Sequence, residues 1–283
     1  MSALIARSNY GKSRVRLVKV TRRADRHDVI DLTVGVQLEG DYQAAHVDGD
    51  NSAVLPTDTM KNTVYAFAAR HEPHRLEEFG IALARHFLAG AGRPTGASVQ
   101  IEAHDWSRLA AGGRPHPHAF VRGSAERRIA AVVARPEGVR VEAGLDDLLV
   151  LKTAHSAFAG YPRDRYTTLA ETTDRLLATT ISARWRYDGA ALDYDRCWMA
   201  ARQAMLDRFA EHDSKSVQHT LYAMAEAALG ACPGITEISL SLPNKHHLLV
   251  DLAPFGLTNE NAIFVPTDEP HGLIEAVVTR SRA

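Results

Sequence analysis

Asp31-Leu-Thr-Val-Gly-Val-Gln-Leu38 carries an apolar side chain at every second position, the period of a strand with one buried face. Just upstream, Arg14-Val-Arg-Leu-Val-Lys-Val20 alternates in part, and a charged connection separates the two. They are expected to pair as an antiparallel hairpin. After Thr57-Asp58-Thr59 the period changes: Met60, Val64 and Phe67 recur at helical spacing, behind residues that make good N-caps. Leu76, Phe79, Leu83 and Phe87 form the stripe of a second helix, with Gly90 as its C-cap candidate. Alternation returns over residues 98–106 and 118–133, around the turn Gly112-Gly113-Arg114-Pro115.

The second half repeats this order. Residues 148–152 and 181–187 read as strands. Trp198, Met205 and Phe209, then Val217, Leu221, Met224 and Ala228, mark two helices, and residues 235–242 and 247–252 read as a closing hairpin. Lys61-Asn-Thr-Val-Tyr-Ala-Phe-Ala68 also echoes Gln218-His-Thr-Leu-Tyr-Ala-Met-Ala225, and a duplication explains the echo together with the element order. Strands interrupted by helix pairs imply an α+β protein of antiparallel sheets with helices on one face. A nucleotide-binding parallel sheet finds no support, since neither GxGxxG nor a Walker loop is present.

Composition narrows the function classes. The 283 residues hold 33 Lys+Arg against 34 Asp+Glu, so no net positive field draws the chain to nucleic acid or to an anionic membrane surface. Residues 1–7 are too short an apolar run for a signal peptide, and nothing approaches a membrane span, which favours a cytoplasmic protein. Cys197 and Cys232 read as two core thiols of a reducing compartment. The 14 histidines hint at site chemistry.

Among those histidines, His116-Pro-His118 could place two imidazoles together, but no third ligand accompanies them at metal-site spacing. Lys245-His246-His247 lies in a polar knot, Pro243-Asn244-Lys245-His246-His247, where an apolar strand should continue, and local rules are often broken at functional positions. The stretch from Leu148 to Arg175 runs from a strand into a loop with Phe158, several hydroxyls and Arg175. Phe158 could give a flat ligand a stacking face and Arg175 a two-pronged donor fork, although a core phenylalanine and a surface ion pair are the ordinary readings. Lys12 stands beside Gly11 at the mouth of the first strand. Thr57 and Asp58 precede the first helix, where capping alone would account for them.

Together these segments resemble the urate oxidase (uricase) family, as its bacterial members. Asn9-Tyr-Gly-Lys-Ser-Arg-Val-Arg-Leu17, Asp50-Asn-Ser-Ala-Val-Leu-Pro-Thr-Asp-Thr-Met-Lys-Asn-Thr63, the segment from Leu148 to Arg175 and Leu242-Pro-Asn-Lys-His246 are similar to its motifs, in order and over nearly the whole chain. The resemblance implies tandem tunnelling-fold (T-fold) halves, residues 1–138 and 139–283, assembling into β-barrels as a homotetramer with active sites between subunits. It implies oxidation of urate by O2 and water to 5-hydroxyisourate and hydrogen peroxide, with no metal or organic cofactor. Nucleic acid and membrane are not implied partners. A metal-dependent cyclohydrolase of the same fold using His116 and His118, or a purine-binding module without catalysis, are the alternatives.

By the same resemblance, Phe158 stacks on urate, Arg175 grips one edge bidentately, and Gln218 with the Val217 backbone takes the other. Thr57 and Asp58 reach the ligand from a neighbouring subunit. Urate must lose a further proton to become a dianion able to reduce O2 directly, and an ordinary lysine amine, with a pKa of about 10.4, is a poor acceptor unless tuned by its surroundings. Lys12, Thr57 and His246 form the implied relay, in which a hydroxyl both donates and accepts. Asn244 with Thr57 would hold O2 and then water above the ring. The sequence departs from the family pattern at Ala154 and Ala159, neither a proposed contact. It ends Ser281-Arg282-Ala283 without the Ser-Lys-Leu peroxisomal address, which again favours the cytoplasm.

Overall fold

The computed structural model describes residues 3–92, 94–189 and 192–281, so Arg282 and Ala283 of the C-terminal triplet lie outside it. Two compact units divide at Gly144/Leu145. In the first, β1 (Asn9–Arg22), β2 (His27–Glu39), β3 (Gly96–Ala111) and β4 (Arg114–Arg135) follow one another, each antiparallel to the next. The short α1 (Gln43–Val47), α2 (Thr57–Arg70) and α3 (Leu76–Leu88) fall between β2 and β3. The alternation in β2 sets the layers: Leu32, Val34, Val36 and Leu38 are buried at 0–1% exposure, with Met60 and Val64 of α2 and Phe79 and Leu83 of α3 in the same core. Each such side chain contributes about 1.5–3 kcal/mol by leaving water. Gly112 and Gly113 take φ of 59° and 74° in the two-residue turn from β3 to β4, where a side chain would be strained.

β5 (Gly138–Lys152) contains the division between the units. The second unit continues through β6 (Leu177–Tyr187), α4 (Tyr194–Glu211), α5 (Val217–Ala231), β7 (Ile235–Leu249) and β8 (Phe264–Thr279), with β6-β7-β8 antiparallel. Its core holds Ile181 and Trp185 of β6, Met205 of α4, Met224 of α5 and Leu240 of β7. Each unit shares one device. Lys19 of β1 donates to the carbonyls of Ala68 and His71 at the C-terminal end of α2, both at 2.8 Å, and Lys152 of β5 donates to those of Phe209 (3.4 Å) and His212 (2.6 Å) at the end of α4. A cation on free helix carbonyls is favourable for both hydrogen bonding and the helix dipole.

These matched lysines align α2 with α4, whereas the sequence echo aligns α2 with α5. The echo is therefore out of register with the element order, and reflects two amphipathic helices of similar composition. The expected closing hairpin is also absent. β7 runs unbroken through Pro243-Asn244-Lys245-His246, and its outer partner is β8, whose two prolines and almost wholly exposed face hide it from a search for alternation.

Caps and cysteines differ too. Pro56 holds the N-cap of α2, Thr57 and Asp58 are already helical, and Ala89 caps α3 ahead of Gly90. Cys197 and Cys232, expected as separate thiols, form a disulfide between the start of α4 and the end of α5, with Cα atoms 5.5 Å apart.

Gly11 has no room for a side chain in the β1–β2 pair, because a Cβ there would collide with the Val36 carbonyl oxygen and the Gln37 Cα. Backbone on both sides cannot give way as a side chain would. Gly11→Ala should destabilise the protein by about 1–3 kcal/mol or more, read as a lower melting temperature in calorimetry; an unchanged midpoint would show that β1 can shift freely.

Candidate active site

Between β5 and β6 the chain has no regular ladder, yet it is pinned at several points. Phe158 and Thr172 exchange backbone hydrogen bonds of 2.8 and 3.0 Å, closing residues 159–171 into a loop. The Ser156 N–H donates to Asp174 Oδ1 at 3.2 Å, and Asp174 in turn precedes Arg175. The Arg175 guanidinium carbon then lies 5.4 Å from the centre of the Phe158 ring, within cation–π range. Tyr161 stacks on Phe158 at 4.8 Å and 17°, and its hydroxyl donates to the Leu169 carbonyl at 2.7 Å.

Phe158 and Arg175 share a cavity of about 180 Å³ with Leu169, Thr172, Asn244 and His246. Every lining residue belongs to the second unit. Burial pushes the Arg175 pKa down from its ordinary value, but a guanidinium remains charged in any case. Its buried Nε has no hydrogen-bond partner among the described residues. An unsatisfied charged donor beside an aromatic face is costly alone and suited to an anionic, planar ligand with an acceptor edge. The polar knot of β7 thus faces a cavity, as its broken pattern suggests.

Val217 and Gln218 open α5 just after its N-cap, Ser216, whose hydroxyl accepts from the His219 N–H at 3.1 Å. They do not line this cavity. Lys12, Thr57 and Asp58 lie in the first unit. Tyr10 of β1 accepts from the Leu55 N–H at 2.8 Å, which anchors to β1 the turn leading into Thr57. The Asp58 carboxylate accepts from Lys61 and, at 3.0 Å, from Asn62. Lys61, with a smaller contribution from Lys12, holds that carboxyl below the usual carboxylate range. The side chain is therefore engaged one turn along its own helix instead of capping it.

Three contributors escaped the sequence reading as individuals: Tyr161 behind the stacking ring, Leu169 at the cavity wall and Thr172 as the backbone partner of Phe158. Their signal is non-local and has no period. Among the described residues, no three His, Cys, Asp or Glu side chains are placed to hold a metal ion. The His116 and His118 rings lie 4.6 Å apart, and the His27 ring lies 5.9 Å from that of His118.

A family model described as uricase matches residues 8–133 and 141–275. A uricase of Arthrobacter globiformis is 47% identical over 277 residues, covering 98% of this chain and 90% of that one. A uricase of Aspergillus flavus is 39% identical over 99% of this chain and 98% of its own. The crystal structure of the Arthrobacter globiformis uricase superposes with a TM-score of 0.94 at 46% identity, covering all of this chain and 98% of that one.

Another titrating group lies where the C-cap of α4 meets the first turn of α5. His212 Nε2 contacts His219 Nδ1 at 3.2 Å, and burial, then His219, Lys152 and Arg208, lower the His212 pKa against an opposing Asp213. The folded chain thus protonates this imidazole only at a lower pH than the unfolded chain, which takes up the proton at about pH 6.5. Its contribution to stability is present above that pH and is lost as pH falls below it. The melting temperature should drop on acidification from pH 7 to 5.5, and His212→Gln should flatten that slope. An equal slope in the variant would contradict the assignment.

Proposed function

The chain belongs to the uricase family and oxidises urate, and from that premise we propose how its residues divide the reaction. Urate, O2 and water become 5-hydroxyisourate and hydrogen peroxide. Urate is a planar anion, so a stacking face and a charged fork suffice to orient it. Phe158 supplies the face and Arg175 the fork; Gln218 and the Val217 backbone take the opposite edge. The observation that carries this assignment is the buried, unpartnered Nε of Arg175 beside the Phe158 ring.

Lys12, Thr57 and His246 form the proton relay. The Thr57 hydroxyl accepts from one neighbour while donating to the other, so the substrate proton can leave without bulk water. The urate dianion then reduces O2 itself, held with Asn244 and Thr57 above the ring, and water afterwards takes the same place. Holding the reactants in position supplies much of the rate.

Chains assemble as a homotetramer of β-barrels, with active sites between subunits. In support, the cavity lining comes wholly from the second unit, whereas Lys12, Thr57 and Asp58 belong to the first. In this reading Thr57 and Asp58 act from a neighbouring subunit. Among the described residues no helix is long and apolar enough to cross a membrane, and we place the enzyme in the cytoplasm. The Cys197–Cys232 disulfide pulls the other way, because such bonds are rare in reducing compartments.

Steady-state kinetics tests the division of labour. Lys12→Ala and Thr57→Ala should lower kcat about a hundredfold with little change in KM, and Arg175→Ala should raise KM for urate about a hundredfold. Co-expressed Thr57→Ala and Arg175→Ala chains should recover activity that neither homo-oligomer has, because some sites in the hybrids regain both residues. Wild-type urate binding in Arg175→Ala would refute the fork, and no recovery in verified hybrids would refute sites shared between subunits.

A further inference from the structure

The second unit contains a group of buried hydroxyls that neither the stacking face nor the relay uses. Ser156, Ser214 and Thr220 are each at most 1% exposed, among mostly apolar buried side chains. Burying a hydroxyl is costly unless it is bonded, and at Ser214 every polar group is. Its N–H donates to the His155 carbonyl at 2.9 Å and its carbonyl accepts from the Ala157 N–H at 2.7 Å. Its hydroxyl donates to the Ser216 carbonyl at 3.0 Å and accepts from the Thr220 hydroxyl at 2.7 Å.

These bonds run in two directions. The backbone bonds reach the residues that lead into Phe158, where Ser156 and Ser214 form a parallel bridge. The side-chain bonds reach the N-cap and first turn of α5, where Ser216 precedes Val217 and Gln218. Phe158 and Gln218 lie far apart in sequence, yet the path Phe158–Ala157–Ser214–Ser216–Val217 crosses the gap without passing through solvent. His155 holds φ at 57°, a left-handed conformation unusual for a residue with a side chain, which turns its carbonyl to the Ser214 N–H.

We propose that Ser214, locked by the Thr220 hydroxyl, is a positioning residue that fixes the separation between the Phe158 ring face and the Val217–Gln218 edge, and so sets the plane in which urate is held. The proposal rests on the assignment of those residues to urate. A planar ligand stacked at one point and hydrogen-bonded at its rim satisfies both contacts only if loop and helix hold their spacing. The two contacts act on bound urate and transition state alike, so loosening them should appear in KM more than in kcat.

Thr220→Val keeps the shape and removes the donor, Thr220→Ser keeps the donor, and Ser214→Ala removes the same bond from its other end. Loss of a buried hydrogen bond of this kind should raise KM for urate about tenfold in Thr220→Val and Ser214→Ala, with kcat within about twofold. Thr220→Ser should stay within about twofold of the unaltered enzyme in both constants. Arg175→Ala is the control. If it loses urate affinity while Thr220→Val and Ser214→Ala keep the unaltered KM, the role of Ser214 is overturned and the site assignment stands. If Arg175→Ala also keeps its affinity, the site assignment itself fails. A fall of kcat in step with melting temperature, unrescued by Thr220→Ser, would reduce Ser214 to packing and overturn the proposal.

Discussion

β7 has neighbours on both sides and must serve two environments along one strand. Leu240 and Leu242 are buried in the core, and two residues further on Asn244 reaches the cavity. A turn there would end the ladder and leave backbone groups unpaired beside the core. Instead the pairing with β8 slips: Asn244 opposes Gly272 and His246 opposes Thr267, so residues 268–271 loop out opposite Lys245 alone. The Lys245 ammonium bonds Asp268 of that loop at 2.5 Å. The irregularity is absorbed by the edge strand, and β7 keeps its pairing to β6 through Asn244 and Lys245.

The first unit makes a comparable accommodation. Lys12 pairs with Val36 and Val15 with Val34, so Ser13 and Arg14 oppose Gly35 alone, with Arg14 at φ 56°. Such bulges re-aim side chains without ending a sheet, and they recur beside active sites. Lys12 and His246, the two ends of the proposed relay, each adjoin one. Regular stretches elsewhere bury mostly apolar residues, with Asp31, Thr33 and Thr179 among the exceptions. The irregular points are where a sheet protein can place chemistry, and here they lie on strands whose rigidity comes from the cores of both units.

Legibility in the sequence followed the range of the interaction. The apolar stripe of helix α3 was readable because Leu76, Phe79, Leu83 and Phe87 repeat at a period that local geometry dictates, although its cap is Ala89 and not Gly90. The glycine pair at 112–113 was readable because only its backbone freedom suits that turn. β8 was not, since its exposure leaves no alternation, and the polar knot in β7 was mistaken for a turn although its polarity pointed to a cavity, which it lines. The first part of β5 was missed as well. The resemblance supplied names for Phe158, Arg175 and Gln218, but not what holds them: the Phe158–Thr172 bridge, the Tyr161 stack and the Ser214 hub join residues with no sequence rhythm.

In the proposed reaction side chains alone, without a bound metal, let urate reduce O2. Its most direct test is a simultaneous record of urate absorbance, O2 uptake and peroxide release by protein freed of metal with EDTA. Equal molar amounts of urate lost, O2 consumed and peroxide formed, undiminished by the chelator, are the predicted result. No turnover at neutral or alkaline pH, or turnover that vanishes with EDTA and returns with added metal, would contradict it.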